Sequence, residues 1–519
     1  MRLQVCKWLM LLAALPAAAA EKSTTFDLAT ATIADINAAI DAGALSSERL
    51  VELYLARIAA YDRQGPKLNS VITLNEHALD EARALDRERL ATGRRSALHG
   101  IPVVLKDLID AAGMPTTAGF KPFGAPIPPR DAHVTTRLKA SGAIILAKVA
   151  TVNWFGLGFD ETHPIGASLN PYALDRSPGG SSNGPGVSMA AYFATVAIGT
   201  DTGGSVRIPS AYNSIFGMVA TQGLVSRAGI VPRGATQDRA GPMGRSVYDL
   251  AATLAVISGW DAEDAATSSG FGHFPAAAWA DKLDGSLVGR RIGVLREMID
   301  EGPAHEQGRA LFERALEDLR AAGAVVIDIR TGLDLKALAS SAIGRTAEYE
   351  KLYVQNAYLA RLGPAAKFAT VQEMIVKVGR DKFSRLMLAA LDLPPPAESP
   401  DYLARLEHRA MLISLATSTV DELALDALVL PFSTRPPPLL DGSGDGGGGG
   451  QSLASNNGLP SIVAPAGYTD DGLPIAVEFV GKPFADRTLL EVVHGYESAS
   501  RRRVAPSATP PLSGERFSY

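Results

Sequence analysis

The sequence predicts an α/β protein built as one elaborated domain, a sheet covered on both faces by helices. Short apolar runs, too brief for helices and bounded by glycine or charge, alternate with segments of helical period. The 519 residues suffice to bury a large core. Neither of two loop-like stretches, Leu393-Pro394-Pro395-Pro396 and the glycine-rich run 441–450, divides the chain into two self-sufficient halves.

From Thr32 to Tyr61 the pattern is helical. Ser46 or Ser47 is placed to cap the part in which Leu50, Val51, Tyr54, Leu55 and Ile58 share one face. Ile101 to Leu105, between Gly100 and the charged pair Lys106-Asp107, predicts a buried strand. Asp131 is positioned as the N-cap of a helix through Lys139 that stops at Gly142, and Ala143 to Ala147 predicts the following strand. A helix around Val187 to Phe193 and a strand at Thr195 to Ile198 resume the alternation. Arg291 to Leu295, a helix over His305 to Ala322, and Val325 to Ile329 repeat it. Strands at Leu428 to Leu430, Ser461 to Ala464 and Ile475 to Val480 precede a helix from about Thr488.

Acidic and basic residues nearly balance, 55 against 50, for a net charge of −5. With no long basic run, composition points to neither nucleic acid nor a membrane surface, and it fits an enzyme acting on small molecules. The first twenty residues stand apart. Arg2 and Lys7 supply positive charge, Trp8 to Leu15 an apolar stretch, and Ala18-Ala19-Ala20 a small-residue cleavage site. This is the layout of a secretory signal peptide over 1–20, too short to span a bilayer. The expected mature chain, 21–519, is exported to the periplasm or beyond, without stable membrane association. Its oligomeric state is not readable. The single cysteine, Cys6, lies in the segment that export removes, which leaves no thiol for a nucleophile, a metal site or a disulfide.

Chemistry concentrates between Ser177 and Pro209. The chain reads Ser177-Pro178-Gly179-Gly180-Ser181-Ser182-Asn183-Gly184 and later Thr200-Asp201-Thr202-Gly203-Gly204-Ser205-Val206-Arg207. Glycine runs let a backbone adopt positive φ and approach a ligand closely. Two such turns that end in serine suggest hydroxyls presented to one site, though on glycine alone two ordinary turns are the better reading.

These residues resemble the amidase signature family. The likeness rests on Gly179 to Ser182, on Gly203 to Pro209, and on the upstream Gly100-Ile101-Pro102-Val103-Val104-Leu105-Lys106-Asp107. It extends through Asn170-Pro171-Tyr172, Gly223 to Ser226, Ala240-Gly241-Pro242-Met243, Leu459 to Gly467 and Gly472-Leu473-Pro474. The resemblance covers nearly the whole mature chain and implies a mixed, twisted sheet sandwiched between helical layers. It implies an amidase acting on a small-molecule amide, with no metal and no other cofactor. Ser205 would be the nucleophile, Ser181 a bridging serine preceded by a cis peptide bond, and Lys106 the base. The backbone N–H groups of Thr202, Gly203, Gly204 and Ser205 would form the oxyanion hole. Asp201 and Arg207 would support this turn from behind. Met114, Asn153, Trp154 and Ser182 are candidates to contact substrate. Several segments look like the peptide amidase branch, and aryl amides, carbamates and esters suit the same chemistry. The family usually follows its paired serines with two glycines, whereas this chain has Asn183 and Gly184.

The residue types agree with those roles. A serine hydroxyl becomes a useful nucleophile when a neighbouring base takes its proton. Lysine serves as that base only when neutral, which burial promotes. Other readings fit less well. Gly180-Ser181-Ser182-Asn183-Gly184 matches the G-x-S-x-G elbow, but turn-formers rather than a strand precede it. His163, beside Asp160 and Glu161, is the one modest candidate metal ligand and reads as a loop residue. An exported solute-binding protein has no need of this serine and lysine spacing. A glutaminase-like component that works on misacylated tRNA is at odds with export.

Overall fold

The apolar run before Lys106 forms the strand Pro102–Lys106, with all five residues buried. The computed structural model describes residues 24–275, 279–342, 346–442, 453–455 and 457–519. The 1–20 leader and nearly all of the glycine-rich run 441–450 lie outside them.

Among the described residues the strands are β1 (Thr25–Asp27), β2 (Val71–Leu74), β3 (Pro102–Lys106), β4 (Ile144–Val149), β5 (Val196–Asp201), β6 (Phe216–Val219) and β7 (Arg239–Gly244). They continue as β8 (Arg291–Leu295), β9 (Val325–Ile329), β10 (Ala427–Ser433), β11 (Ser461–Tyr468), β12 (Pro474–Val480) and β13 (Arg516–Ser518). β1 and β13 form a separate antiparallel ribbon. The others make one sheet in the order β2-β4-β3-β5-β7-β6-β11-β12-β10-β8-β9.

This sheet is mixed. β3 runs parallel to β4 and β5, and β8 runs parallel to β9 and β10. The pairings from β5 across to β10 are antiparallel. Strands such as Ile144–Val149 and Val196–Asp201 are buried throughout, as expected where helices cover both faces. One main hydrophobic core holds residues from Phe26 to Tyr496, and a smaller cluster places Leu412, Ala416 and Val420 of the helix Pro400–Glu422 against Leu428 and Leu430.

Several local expectations changed. The helical stretch 32–61 is two helices, Ile33–Asp41 and Ser47–Tyr61, parted at Gly43, whose φ of +72° suits glycine. Thr32 caps the first and Ser46 the second. Asp131 is not an N-cap: the helix His133–Ala140 begins after Ala132 without a side-chain cap, and the Asp131 carboxylate instead accepts from the Ala112 N–H and from Lys139 Nζ. The helix placed around Val187 to Phe193 starts earlier and covers Asn183–Ala190.

β3 and β5 run parallel, with Leu105 opposite Ile198. Their C-terminal ends therefore leave the sheet at the same edge. Lys106 closes one strand and Thr200-Asp201 the other, which is where open α/β sheets place their ligand sites.

Candidate active site

Lys106 is completely buried at the end of β3. Its Nζ lies 2.6 Å from Ser181 Oγ and donates to Thr200 Oγ1 at 2.8 Å and to the Thr200 carbonyl at 3.4 Å. A neutral amine makes these contacts with two N–H groups donated to Thr200 and its lone pair accepting from the Ser181 hydroxyl, and an ammonium makes them with three donors. Burial lowers the affinity of Lys106 for a proton well below that of free lysine, with the negative charges of Asp201 and Asp238 pulling the other way.

Ser181 follows a cis peptide bond from Gly180. Its carbonyl accepts from the Val152 N–H at 3.2 Å. Ser182 next to it is fully buried and bridges both backbone groups of Thr200, donating to the carbonyl at 3.1 Å and accepting from the N–H at 3.3 Å. The Ser182 N–H donates to the Ser205 carbonyl at 3.1 Å. The two serine-bearing turns are thus tied together, and Thr200 meets both Ser182 and Lys106.

The second turn is held from beneath by Asp201. Its carboxylate accepts from the N–H groups of Gly204 (2.7 Å) and Val206 (3.0 Å) and from Arg207 Nε (3.1 Å) and Nη2 (3.1 Å). Burial alone would raise its pKa; the Arg207 guanidinium and these donors outweigh burial and hold the carboxyl well below the usual range. Arg207 spans to Glu478 on β12 at 2.9 Å and to Ser455 Oγ at 2.9 Å. Gly204 has φ +118°, a conformation that side chains disfavour. Ser205 itself is half-buried.

A family model described as Amidase matches residues 49–490. The chain belongs to the amidase family. Native peptide amidase from Stenotrophomonas maltophilia superimposes with a TM-score of 0.82 at 34% identity, covering 93% of this chain and 99% of that one. A glutamyl-tRNA(Gln) amidotransferase subunit of Symbiobacterium thermophilum is 33% identical over 92% of this chain and 98% of its own length. A probable amidase of Arabidopsis thaliana is 32% identical over 93% of each.

The amidase fold brings Lys106, Ser181 and the Thr202 to Ser205 turn to one edge of the sheet. Of the four N–H groups expected in the oxyanion hole, that of Gly204 is engaged with Asp201. Trp154 is half-buried, with its ring centroid 5.4 Å from Lys106 Nζ and its Nε1 donating to the Pro232 carbonyl at 3.2 Å. Asn153 is turned inward: its amide donates to Thr162 Oγ1 and accepts from the Gly156 N–H, both at 2.7 Å. Met114 is 8% exposed on the tight turn after β3. Asn183 is fully buried and donates to Ser168 Oγ at 3.0 Å, so the departure from two glycines falls inside the protein. Gly184 keeps its glycine for a reason, since a Cβ there would lie 2.2 Å from Ala150 N. His163 uses both ring nitrogens on backbone, at Thr151 O and the Ile165 N–H.

Four residues around Lys106 and the two turns carried no recognisable role in the sequence. Thr200 supplies the other partners of Lys106. Glu478 balances Arg207 from a strand 271 positions away. Asp238 accepts from Thr202 Oγ1 at 2.6 Å and from the N–H groups of Arg233 (2.6 Å) and Gly234 (3.0 Å). Arg233 stands with its guanidinium 5.7 Å from the Trp154 ring centroid. Asp238 lies two residues before the matched Ala240-Gly241-Pro242-Met243, the nearest signal that marked its loop. Beside that loop, a cavity of about 310 Å³ is lined by Arg227, Pro232, Asp238, Glu263, Tyr358 and Arg361.

Proposed function

We propose that this chain hydrolyses linear carboxylic amides, with C-terminal peptide amides as the first class to test, through an acyl-enzyme on Ser205. The observation that carries this reading is the buried Lys106 amine 2.6 Å from Ser181 Oγ. Neutral Lys106 takes the Ser181 hydroxyl proton while Ser181 takes that of Ser205. Ser205 Oγ then attacks the amide carbon, and the negative oxygen is stabilised by the N–H groups of the Thr202 to Ser205 turn that Asp201 leaves free. The proton returns through Ser181 to the leaving nitrogen, the C–N bond breaks, and amine or ammonia departs. Water repeats the sequence on the ester, releasing the carboxylate and free Ser205.

The likeness to a peptide amidase at 34% identity supports the substrate class, and the likeness to a tRNA-linked amidotransferase, at 33%, is nearly equal. The charged, apolar and small-residue layout of residues 1–20 favours the exported hydrolase over a partner of tRNA. Sequencing the N-terminus of the natively produced protein separates the two: a start near residue 21 supports export, and retention of Met1 opposes it.

The reaction is tested by release assays on primary amides, anilides, peptide amides and p-nitrophenyl esters, joined to labelling with a fluorophosphonate. One equivalent of label on the Ser205 peptide, with activity lost in proportion, is the expected result. Label on Ser182, or turnover that survives full labelling of Ser205, would overturn the assignment.

A further inference from the structure

Arg233 sits on the loop that packs against Trp154, and its backbone is fixed on both sides. Its N–H donates to Asp238, and the preceding Pro232 carbonyl accepts from Trp154 Nε1 at 3.2 Å and from Gln355 Nε2 at 3.1 Å. Its guanidinium lies 5.7 Å from the same indole whose centroid is 5.4 Å from Lys106 Nζ. Its closest charged partner is Glu348, at a long 3.3 Å. One aromatic ring thus stands close both to the amine that must stay neutral and to a guanidinium that is always charged.

Resting on the reading of Lys106 as base, we infer that Arg233 is a positioning residue for amide hydrolysis: it fixes the Trp154 wall and supplies the positive charge that disfavours a second one on Lys106. Burial contributes most to keeping Lys106 unprotonated; Asp201 and Asp238 oppose it, and Arg233 reinforces it. Other charges nearby have partners of their own, and Lys351 shares Glu348 with Arg233. Lys148 on β4 meets Asp107 at 3.1 Å, Arg227 behind Asp238 meets Asp264 at 2.6 Å, and Lys351 bonds to Glu348. Thr200, Ser181 and Trp154 complete the surroundings without charge. Glu348 tempers Arg233 and so sets how strongly its field reaches the amine.

The test is the pH profile of kcat/KM on the best amide of the panel. In Arg233→Gln the acidic limb moves to higher pH by about half to one unit, the size expected of one charge across an aromatic ring in a partly screened site. Activity below the limb falls about 3- to 10-fold and activity above it changes little. Arg233→Lys keeps the charge and holds the limb near wild type. Glu348→Gln, which removes the tempering charge, moves it to lower pH. A merely structural role lowers kcat/KM equally at all pH values and leaves the limb in place, and that result overturns the inference. Lys106→Met and Ser205→Ala are run beside these variants. If either retains turnover, it is the base and nucleophile assignment that fails; if both are inactive and the limb of Arg233→Gln is unmoved, only the role of Arg233 fails.

Discussion

Lys106→Met abolishes amide turnover and raises the melting temperature. Removing the base costs on the order of 10³- to 10⁴-fold in kcat. Ser205→Ala costs at least ~10⁴-fold, and the double variant is no worse than the poorer single one, because groups acting as a unit are not additive. Stability goes the other way. Burial weakens the hold of Lys106 on a proton, so between its lowered pKa and about 10.4 the unfolded chain carries a proton that the fold does not. The residue therefore opposes folding at neutral pH, and its opposition fades as pH rises through that window. Methionine fills a similar volume without this cost. Thermal unfolding followed from pH 6 to 10 should show a gain that is greatest at the acidic end and shrinks toward pH 10. A melting temperature that falls at every pH would mean that the hydrogen bonds to Thr200 and Ser181 outweigh desolvation.

Arg207→Met destabilises the protein by about 3–5 kcal/mol, the usual penalty for leaving buried charge without its partner. Two carboxylates lose their cation together: Asp201 and Glu478 both have side chains with 0% exposure. Asp201 retains its backbone donors, and Glu478 retains the Ser461 hydroxyl. Glu478→Gln is milder, since Arg207 still pairs with Asp201 at 3.1 Å. Denaturant titration of the three proteins gives the order wild type, Glu478→Gln, Arg207→Met. Equal stability of the last and the first would show that the network contributes nothing net. Arg207→Met also loosens the turn that carries Ser205, so its kcat falls while denaturant sensitivity rises.

Strands whose burial is two-sided were legible because continuous apolar runs have no competing reading. Pro102–Lys106 and Arg291–Leu295 fall within a residue of where the runs place them; Val325–Ile329 does so too, although in this edge strand only Ile329 is buried. β7 was not foreseen, for its sequence Arg239-Ala-Gly-Pro-Met-Gly breaks every local rule for a central strand. β6 runs alongside β7 only as far as Met243, so at Pro242 the strand has one paired neighbour and the missing N–H is tolerated. β2 is four residues long, too short to signal by period. In the site, Lys106, Ser181 and Ser205 stood out by motif. Thr200 is one of many threonines, and what makes it a partner of Lys106 is the parallel register of β3 and β5. Arg233, Asp238 and Glu478 become neighbours of the site only once the sheet and its crossing loop exist, and no spacing along the chain encodes that.

The loop 227–238 is backed along most of its length by the helix Thr346–Leu362. Glu348 holds Arg233, Glu350 accepts from the Thr236 N–H, and Gln355 reaches the Pro232 carbonyl. Tyr358 and Arg361 meet Asp110, just past the lysine strand. None of the residues that make or break bonds comes from this helix. Reagent and mould therefore sit on separate segments: the helix backs the loop beside the site and, through Glu348, tempers the charge near Lys106 without supplying a reacting group. For this chain the face of that helix that carries Glu348, Gln355 and Tyr358 is the natural place to begin altering which amide is admitted.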